Sequence, residues 1–328
     1  MYMSVSTKEQ LAEMLEYADG AYVSGNEIAE KIGITRAAVW KCIHQLEAEG
    51  YAIEAVRNRG YRLTDASDPV SEACIRRYLE YTPFGAPVLL EVQPMVTSTN
   101  DVLKERAQDL PNWYTLVAAQ QSKGKGRRTR SFFSPPGSGV YLSMLIKLPL
   151  PAEEATRITT AAAVAACRTI RECTDAVPGI KWVNDVYVDG RKVCGILTEA
   201  SISMENGSLE WAVLGIGFNV YQPEGGFPKE IAHIAGSITA KRQKNLRARL
   251  AALFITHFQD LCLHLMEPDI VEEYRRQSIM QGRQIDVLRG STAIPAIAED
   301  IDDMCRLVVR YADGTAEALT SGEVSIRL

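Results

Sequence analysis

The segment best suited to chemistry is a basic, glycine-containing loop that runs from Gln120 to Arg130. Five cations lie close together in it: Lys123, Lys125, Arg127, Arg128 and Arg130. Glycine lets the backbone approach a ligand closely, and lysine and arginine supply charged donors for phosphate or carboxylate groups. The spacing is not that of a P-loop, in which Lys-Ser/Thr follows the glycines. The loop therefore predicts an anion-binding site, with a solvated basic loop that binds nucleic acid as the alternative.

Three other segments place polar residues where a ligand could reach them. Ser98-Thr99-Asn100 precedes a predicted helix, so it could cap that helix and also present hydroxyl groups to a ligand. Lys181 opens a predicted strand over residues 181–188, and Asn219 lies near the end of another over 209–220. On adjacent strands this lysine and asparagine would converge on one ligand. Taken singly, they could equally be a surface lysine and a strand-end cap.

Residues 7–63 have the pattern of a winged helix-turn-helix. Three helices are predicted, over 7–19, from Ser24 to Gly33 and from Thr35 to Gly50. Two short helices joined through a glycine turn have the spacing of a helix-turn-helix. A hairpin over 51–63 with a basic turn adds the wing. We place this domain at residues 1–65.

Cations in this domain fall on the surfaces that would face DNA. Arg36, Lys41 and His44 lie on the third helix away from its apolar face, and Arg57 and Arg59 lie at the tip of the wing. That distribution is suited to phosphate and groove contacts. A module that binds another protein is the alternative, because many winged helices contact proteins.

The remaining chain predicts an α+β domain followed by a small β domain. A polar linker ends at Pro69, and an alanine-rich helix follows over 152–173. Strands separated by turn dipeptides imply consecutive hairpins, and hence an antiparallel or mixed sheet, within residues 66–279. After Gly282, short strands and Gly-containing turns predict an SH3-like β-barrel over 280–328.

Composition narrows the class of protein. A net charge of −5 argues against a surface that binds nucleic acid everywhere. The seven cysteines are scattered without a Cys-x-x-Cys pair, and the four histidines lie apart from them, so we expect reduced thiols and no transition-metal site. No apolar run approaches the ~20 residues of a membrane span, and the N-terminus lacks a signal-peptide pattern. We expect a cytoplasmic protein without a membrane partner.

Taken in order, these motifs resemble biotin–protein ligases. The matching segments are Ser98-Thr99-Asn100, Gln121…Gly124-x-Gly126-Arg127-Arg128, Phe133-Ser134-Pro135, Tyr141-Leu142-Ser143, Lys181-Trp182-x-Asn184-Asp185, Lys192-x-x-Gly195-Ile196-Leu197, Gly215-Ile216-Gly217-x-Asn219 and Ser321-Gly322-Glu323-Val324-Ser325. Residues Ser24–Leu63 are similar to the DNA-binding domain of the regulatory class, which also represses transcription.

The resemblance implies that ATP activates the carboxylate of biotin as biotinyl-5'-AMP, which a lysine of a biotin carboxyl carrier protein then attacks. Positioning and electrostatic stabilisation would carry the reaction, with Mg²⁺ neutralising the phosphates. It further implies operator DNA as a partner and a homodimer promoted by the adenylate. Two alternatives stay open: a catalytically impaired biotin-responsive transcription factor, and a lipoate-type ligase.

The resemblance also assigns site residues. The catalytic pair would be Lys181, bridging carboxylate and α-phosphate, and Arg127. The biotin-binding residues would be Ser98, Thr99, Asn100, Gln121, Gly124, Lys125, Arg127, Arg128, Lys181 and Gly195. The nucleotide-binding residues would be Arg128, Phe132, Asn184 and Asn219.

This sequence departs from the family pattern at positions in or beside the loop. Lys125 stands where the family usually has arginine, and a lysine lacks the planar fork that binds a carboxylate or phosphate with two hydrogen bonds. Thr129 replaces a usual glycine, which should stiffen the loop, and Phe132 replaces a usual tryptophan, which reduces the stacking area. None of these changes removes a group that the chemistry requires.

Overall fold

The computed structural model describes residues 6–48, 50–79, 88–128, 130–205, 207–290, 292–320 and 323–326. Two residues of the family-like motifs, Ser321 and Gly322, and the loop residue Thr129 lie outside these ranges. Within them, the helices are α1 (Thr7–Tyr17), α2 (Gly25–Ile32), α3 (Arg36–Ala48), α4 (Glu72–Arg76), α5 (Thr99–Glu105), α6 (Ala155–Cys173), α7 (Leu246–Leu263) and α8 (Pro268–Gln277).

The N-terminal region is a helix-turn-helix followed by a two-stranded wing, β1 (Ile53–Val56) and β2 (Gly60–Leu63). Side-chain caps fix the helix starts: Ser24 Oγ accepts the Glu27 amide at 3.1 Å, and Thr35 Oγ1 accepts that of Ala38 at 3.2 Å. Gly33 ends α2 at φ 76°, in the left-handed region that favours glycine. A separate apolar core, which includes the buried Leu11, Leu15, Ile28, Val39, Ile43 and Leu46, holds the three helices together. The predicted order of elements is confirmed here.

The chain then enters the central region through a buried ion pair. Asp68 on the linker is fully buried, and the Arg247 side chain at the start of α7 is only 2% exposed. The Asp68 carboxylate accepts hydrogen bonds from the Arg247 amide at 2.9 Å and from its Nε at 3.1 Å. Tyr221 donates its hydroxyl to the same carboxylate at 2.7 Å. Arg247 also donates to the carbonyls of Asp68 and Gly139, which ties the linker to the first residue of a central strand.

The central region is a seven-stranded mixed sheet with helices packed against it. Its strands are β3 (Leu90–Gln93), β4 (Thr115–Ala118), β5 (Gly139–Ile146), β6 (Gly179–Lys181), β7 (Asp185–Val188), β8 (Arg191–Ile202) and β9 (Leu209–Asn219). They lie in the order β3-β4-β5-β9-β8-β7-β6, and only the β3–β4 pair is parallel. The expectation of an α+β domain with an antiparallel or mixed sheet is confirmed.

One predicted strand is wrong. Residues 181–188 form two strands, because Lys181 of β6 pairs with Asp185 of β7 and residues 182–184 make the tight turn between them. The Trp182–Val183 peptide bond in this turn is cis. Trp182 is buried and donates its indole N–H to the Cys305 carbonyl at 3.0 Å. This contact joins the turn to the C-terminal region.

The C-terminal region is a five-stranded antiparallel sheet. Its strands are β10 (Gln284–Arg289), β11 (Thr292–Ile301), β12 (Leu307–Tyr311), β13 (Ala316–Leu319) and β14 (Glu323–Ile326). They pair in the order β13-β12-β11-β10-β14, so β13 and β14 form the two edges and no closed barrel is present among the described residues. The prediction of short C-terminal strands is confirmed as an antiparallel sheet.

All seven cysteines lie in described parts of the chain, and each is a buried free thiol. Burial raises the pKa of Cys167 to about 12 and that of Cys173 to about 11. Among the helices that the structure describes, none is long and apolar enough to span a bilayer.

Candidate active site

Glycines on two neighbouring strands leave a bare strip on one face of the central sheet. Gly195 of β8 pairs with Gly217 of β9, and Gly215 lies two residues before Gly217 on the same face. The intervening Ile216 is buried in the hydrophobic core. A Cβ atom at Gly215 would lie 2.8 Å from Cγ of Asn100, and one at Gly195 would lie 2.9 Å from Cε2 of Phe132. Side chains from elsewhere therefore lie directly on the backbone of this glycine floor.

A cleft of about 450 Å³, including its open mouth, lies over the glycine floor. Its lining comes from the start of α5, the basic loop, the β6–β7 turn and the two glycine-bearing strands. The lining residues are Ser98, Thr99, Asn100, Gln121, Lys125, Gly126, Arg127, Phe132, Asn184, Lys192, Gly195, Ile196, Leu197, Gly215, Ile216 and Gly217.

One end of the cleft is an uncharged hydrogen-bond network. Oε1 of Gln121 accepts from the Thr99 amide at 2.9 Å and from Thr99 Oγ1 at 3.1 Å. The side-chain Nε2 of Gln121 donates to Ser134 Oγ at 2.9 Å. The Ser143 hydroxyl donates to Thr99 Oγ1 at 2.7 Å. Thr99 and Ser143 are buried, so this end offers fixed neutral donors and acceptors. Such groups match a neutral polar ligand better than an ion.

Asn100 is held in place over Gly215 by residues of β5 and β8, the two strands that flank β9. Its Oδ1 accepts from Ser143 Oγ at 2.6 Å, while its Nδ2 donates to Glu199 Oε2 at 2.8 Å and to the Leu197 carbonyl. The other Glu199 oxygen accepts from Lys104 at 2.6 Å. Partial burial alone would lower the pKa of Lys104, but its hydrogen bonds to Glu199 and Asp101 raise it. Asn100 thus orders the start of α5 through its own contacts.

The other end of the cleft is charged. Lys192 Nζ lies 2.6 Å from Asp185 Oδ1, and a Cβ on Gly195 would come within 3.2 Å of that nitrogen. Arg127 donates to Asn184 Oδ1 at 3.1 Å, and Asn184 in turn donates to the Ile196 carbonyl at 2.8 Å. Burial, aided by nearby Asp185, raises the pKa of Tyr187 to about 12. Two cations therefore approach the glycine floor from different elements.

The basic loop folds back on itself at the mouth of the cleft. The Gly126 amide donates to the Arg130 carbonyl at 2.7 Å, and the Phe132 amide donates to the Gly124 carbonyl at 2.8 Å. Lys125 Nζ lies 2.6 Å from Asp101 Oδ1 on α5. Partial burial alone would raise the pKa of Asp101, but its hydrogen bonds from Lys125 and Lys104 lower it. The ion pair attaches the loop to the neutral end of the cleft.

Comparisons with known proteins identify this arrangement. Family models match in chain order: an HTH domain at residues 7–62, the biotin/lipoate A/B protein ligase family at 92–219 and the biotin protein ligase C-terminal domain at 281–327. The bifunctional ligase/repressor BirA of Bacillus subtilis is 33% identical over 272 residues, which is 81% of this chain and 82% of that protein. This chain belongs to the biotin protein ligase family.

Two further family members support the assignment. The bifunctional ligase/repressor BirA of Escherichia coli is 28% identical over 316 residues, which is 94% of each chain. The solved structure of the Aquifex aeolicus biotin protein ligase in complex with biotin and ATP superposes with a TM-score of 0.59. It is 27% identical and covers 73% of this chain and 98% of its own.

Within this biotin ligase fold, the structure brings together most of the predicted site residues. Those that line the cleft are Ser98, Thr99, Asn100, Gln121, Lys125, Arg127, Phe132, Asn184 and Gly195. Those that lie outside its lining are Gly124, Arg128, Lys181 and Asn219. Gly124 is buried behind the loop against Gln121 and Ser134, and Arg128 is exposed, with φ 51°. Ser98 stands at the N-cap position of α5, but its hydroxyl makes no capping hydrogen bond.

The expectation that Lys181 and Asn219 lie on adjacent strands is wrong. β7 and β8 separate β6 from β9, because the predicted strand over 181–188 is a hairpin that adds a strand to the sheet. Lys181 Nζ lies 5.7 Å from the centre of the Tyr187 ring, and the Asn219 amide lies 3.5 Å from the Lys192 carbonyl. Lys192 is the charged residue of the cleft lining that the predicted site did not include. Its signal was the Lys-x-x-Gly spacing to Gly195, which places it beside the glycine floor.

The cations predicted to bind DNA lie on the surface of the N-terminal region. Arg36, Lys41 and His44 are exposed on α3, and Arg57 and Arg59 are exposed on the wing. The guanidinium of Arg59 lies 4.1 Å from the centre of the Tyr22 ring, so a cation–π contact holds the wing tip. All five side chains are exposed, and their contacts with DNA stay a prediction.

Proposed function

We propose that this protein is an ATP-dependent biotin–protein ligase and a biotin-responsive transcriptional repressor. It forms biotinyl-5'-AMP and transfers the biotinyl group to a lysine of a biotin carboxyl carrier protein. The observation that carries the enzymatic part is the cleft itself, in which a neutral network and a cationic end meet over a bare glycine floor. A solved relative with the same fold is a complex with biotin and ATP.

The two ends of the cleft suit the two ends of biotin. The ureido ring is neutral and can both donate and accept hydrogen bonds, which Ser98, Thr99 and Gln121 can return. The aliphatic chain would run along the glycine floor past the side chains of Asn100 and Phe132, which lie on Gly215 and Gly217. The carboxylate then points towards the charged end, where ATP must bring its α-phosphate.

At the charged end, one biotin carboxylate oxygen attacks the α-phosphorus, and the bond from phosphorus to the pyrophosphate oxygen breaks. Both reactants are anions, so cations beside the forming bond stabilise the transition state more than they stabilise either reactant alone. We assign the bridging of the carboxylate and the α-phosphate to Lys181, which lies in one cross-strand row with Asp185, Gly195 and Gly217, and Arg127 supplies a second charge. Lys192, at the charged end of the cleft, is a candidate for a contact with the outer phosphates. Phe132 lies over the glycine floor, where its ring can pack against the nucleotide, and Asn184, Asn219 and Arg128 are assigned to the nucleotide side.

The residues at the charged end fit Mg²⁺. Asp185 places one carboxylate there, and magnesium bound with nucleotides commonly uses one or two carboxylates plus phosphate oxygens. No cluster of three or more His, Cys, Asp or Glu that could hold a metal occurs in the part of the chain described. When bound, the ion would neutralise phosphate charge. Asp185 would hold it, and the Lys192 ion pair would orient that carboxylate.

In the second half-reaction, the lysine nitrogen of the carrier protein attacks the acyl carbon of the adenylate. The nitrogen–carbon bond forms, the carbon–oxygen bond to AMP breaks, and the amine loses a proton. Lys125, Arg127 and Arg128 belong to the loop that closes over the adenylate and excludes water until the acceptor arrives. Gly124 and Gly195 contribute close backbone approach on the two sides of the ligand.

We further propose that the adenylate promotes a homodimer that binds operator DNA through Arg36, Lys41, His44, Arg57 and Arg59. One winged helix contacts one half-site, whereas a dimer makes the second contact nearly intramolecular. By linkage, an adenylate that favours the dimer must strengthen operator binding.

We also propose boundaries for three domains, at residues 1–65, 66–279 and 280–328. The last would be an SH3-like barrel, and the protein would be located in the cytoplasm.

The test is biotin-dependent exchange of pyrophosphate into ATP by the purified protein, with lipoate as a competing substrate. Lys181→Met should slow the exchange about 100-fold or more, the usual cost of removing a charged donor from a transition state. Its affinity for biotin should change much less. Lys192→Met is the matched comparison, and it should slow the exchange less.

Each possible outcome separates the candidate functions. Exchange that depends on lipoate and not on biotin would identify a lipoate-type ligase. Tight biotin binding without any exchange would identify a transcription factor that has lost catalysis. Wild-type exchange rates in Lys181→Met, with a large loss in Lys192→Met, would exclude the assignment of Lys181.

A further inference from the structure

The recognition surface of the winged helix carries an exposed aromatic ring that the basic residues do not account for. Trp40 lies in the N-terminal half of α3, and 56% of its surface is exposed. The apolar face of the same helix is buried through Val39, Ile43 and Leu46. Trp40 therefore points away from the core of its own domain, on the face where the cations lie.

Neighbouring side chains hold this indole in one orientation. Arg36, Trp40 and His44 are spaced by four residues and so form one stripe along the helix. The indole and imidazole rings lie 4.0 Å apart between centroids, at 70°, in an edge-to-face contact. His44 Nδ1 is 2.7 Å from Glu47 Oε2, which anchors the imidazole from the other side. A ring fixed in this way loses little conformational freedom when it binds.

We infer that Trp40 reads sequence in the operator by packing against the 5-methyl group of a thymine in the major groove. The second helix of a helix-turn-helix lies in that groove, and its N-terminal half faces the base edges. Thymine is identified there by its methyl group, which an apolar side chain can contact. Arg36 and Lys41 flank the ring and favour a polyanion over an apolar protein surface. This inference rests on the repressor function proposed above.

Charge and shape then predict separable effects on DNA binding. Trp40 carries no charge, so removing it should leave nonspecific binding and its salt dependence unchanged. A lost base contact should weaken binding to the preferred sequence about tenfold, which is ~1.4 kcal/mol. Lys41→Ala is the contrasting variant. Loss of a phosphate contact should weaken binding to all sequences alike and reduce the salt slope by about one.

The experiment begins with wild-type protein, biotin, ATP and Mg²⁺, which select duplexes from a random-sequence pool. Affinities of the wild type, Trp40→Ala and Trp40→Phe are then measured on the selected duplex and on an unselected one. The selected duplex is also prepared with each thymine replaced singly by deoxyuridine, which removes only the methyl group. Tyr17→Ala is the matched control, because Tyr17 is a 94% exposed aromatic residue on α1, outside the recognition helix.

The inference predicts that the affinity of Trp40→Ala falls about tenfold on the selected duplex alone. The affinity of Trp40→Phe should fall less, and that of Tyr17→Ala should not change. One thymine-to-deoxyuridine change should weaken the wild type and leave Trp40→Ala unaffected. Equal losses of affinity by Trp40→Ala on both duplexes would overturn the inference. So would an unchanged affinity of Trp40→Ala for the selected duplex. A fall in self-association without DNA would place Trp40 in a protein interface instead. If the wild type selects no sequence, both the proposed repressor function and this inference are wrong. If the wild type selects a sequence and Trp40→Ala binds it as tightly as the wild type does, only this inference is wrong.

Discussion

The buried ion pair between the linker and α7 permits a sharp prediction of stability. Asp68→Asn keeps the size of the side chain and removes its charge, which leaves the Arg247 guanidinium buried without its counter-ion. Because Asp68 is fully buried and Arg247 is 2% exposed, solvent screens the pair very little. Breaking such a pair from one side typically costs about 3–5 kcal/mol of the free energy of unfolding. We expect a loss of that size for Asp68→Asn.

The double variant Asp68→Asn with Arg247→Met tests the physical reason. Removing both charges leaves no uncompensated ion, so the double variant should be more stable than the sum of the two single losses predicts. The free energy of unfolding of each variant is measured by urea titration, followed by circular dichroism and tryptophan fluorescence. Asp19→Asn is the control, since its ion pair with Lys244 joins the N-terminal region to the central region at the surface, and it should remain close to the wild type. A loss below about 1 kcal/mol for Asp68→Asn, or strictly additive losses, would refute the reasoning.

Two further predictions concern the loop and the interface between regions. Lys125→Arg should lengthen the lifetime of bound biotinyl-adenylate a few-fold, because a guanidinium can bind Asp101 or the ligand through two hydrogen bonds; a chase experiment showing unchanged or faster dissociation would contradict this. Glu16 on α1 is buried, and its carboxylate accepts hydrogen bonds from Tyr51 of the N-terminal region and from Ser71, which follows the linker. Burial raises the pKa of Glu16, so its ionisation destabilises the folded state as the pH rises above the ordinary carboxyl range. Glu16→Gln should therefore match the wild type near pH 5 and exceed its melting temperature near pH 8, whereas a constant difference would exclude this linkage.

Local signals in the sequence predicted the N-terminal region well. The serine and threonine caps and the glycine at Gly33 act within three or four residues of where they stand, so they need no knowledge of the tertiary structure. The apolar spacing of α3 likewise showed which side faces the core. For the same reason, the exposed position of Arg36 and Lys41 could be predicted.

The active site depended on strand pairing, which is nonlocal. Lys181 to Val188 has the β-prone composition of one strand, but the pairing of Lys181 with Asp185 makes it a hairpin. That hairpin moves Lys181 to the edge strand of the sheet and leaves Lys192 beside Gly195. Only the register across β6, β7, β8 and β9 shows that Lys181, Asp185, Gly195 and Gly217 form one cross-strand row on the face of the glycine floor.

The burial of every cysteine makes this chain a convenient background for a chemical reporter. Thiols react as thiolates. Because the pKa values of Cys167 and Cys173 are raised, almost none of either thiol is in the thiolate form at neutral pH. A single cysteine introduced at the exposed Lys123 would then be the reactive thiol of the folded protein, with no native cysteine replaced. Its alkylation rate would follow the closure that we propose for the basic loop, with biotin, ATP or carrier protein added in turn.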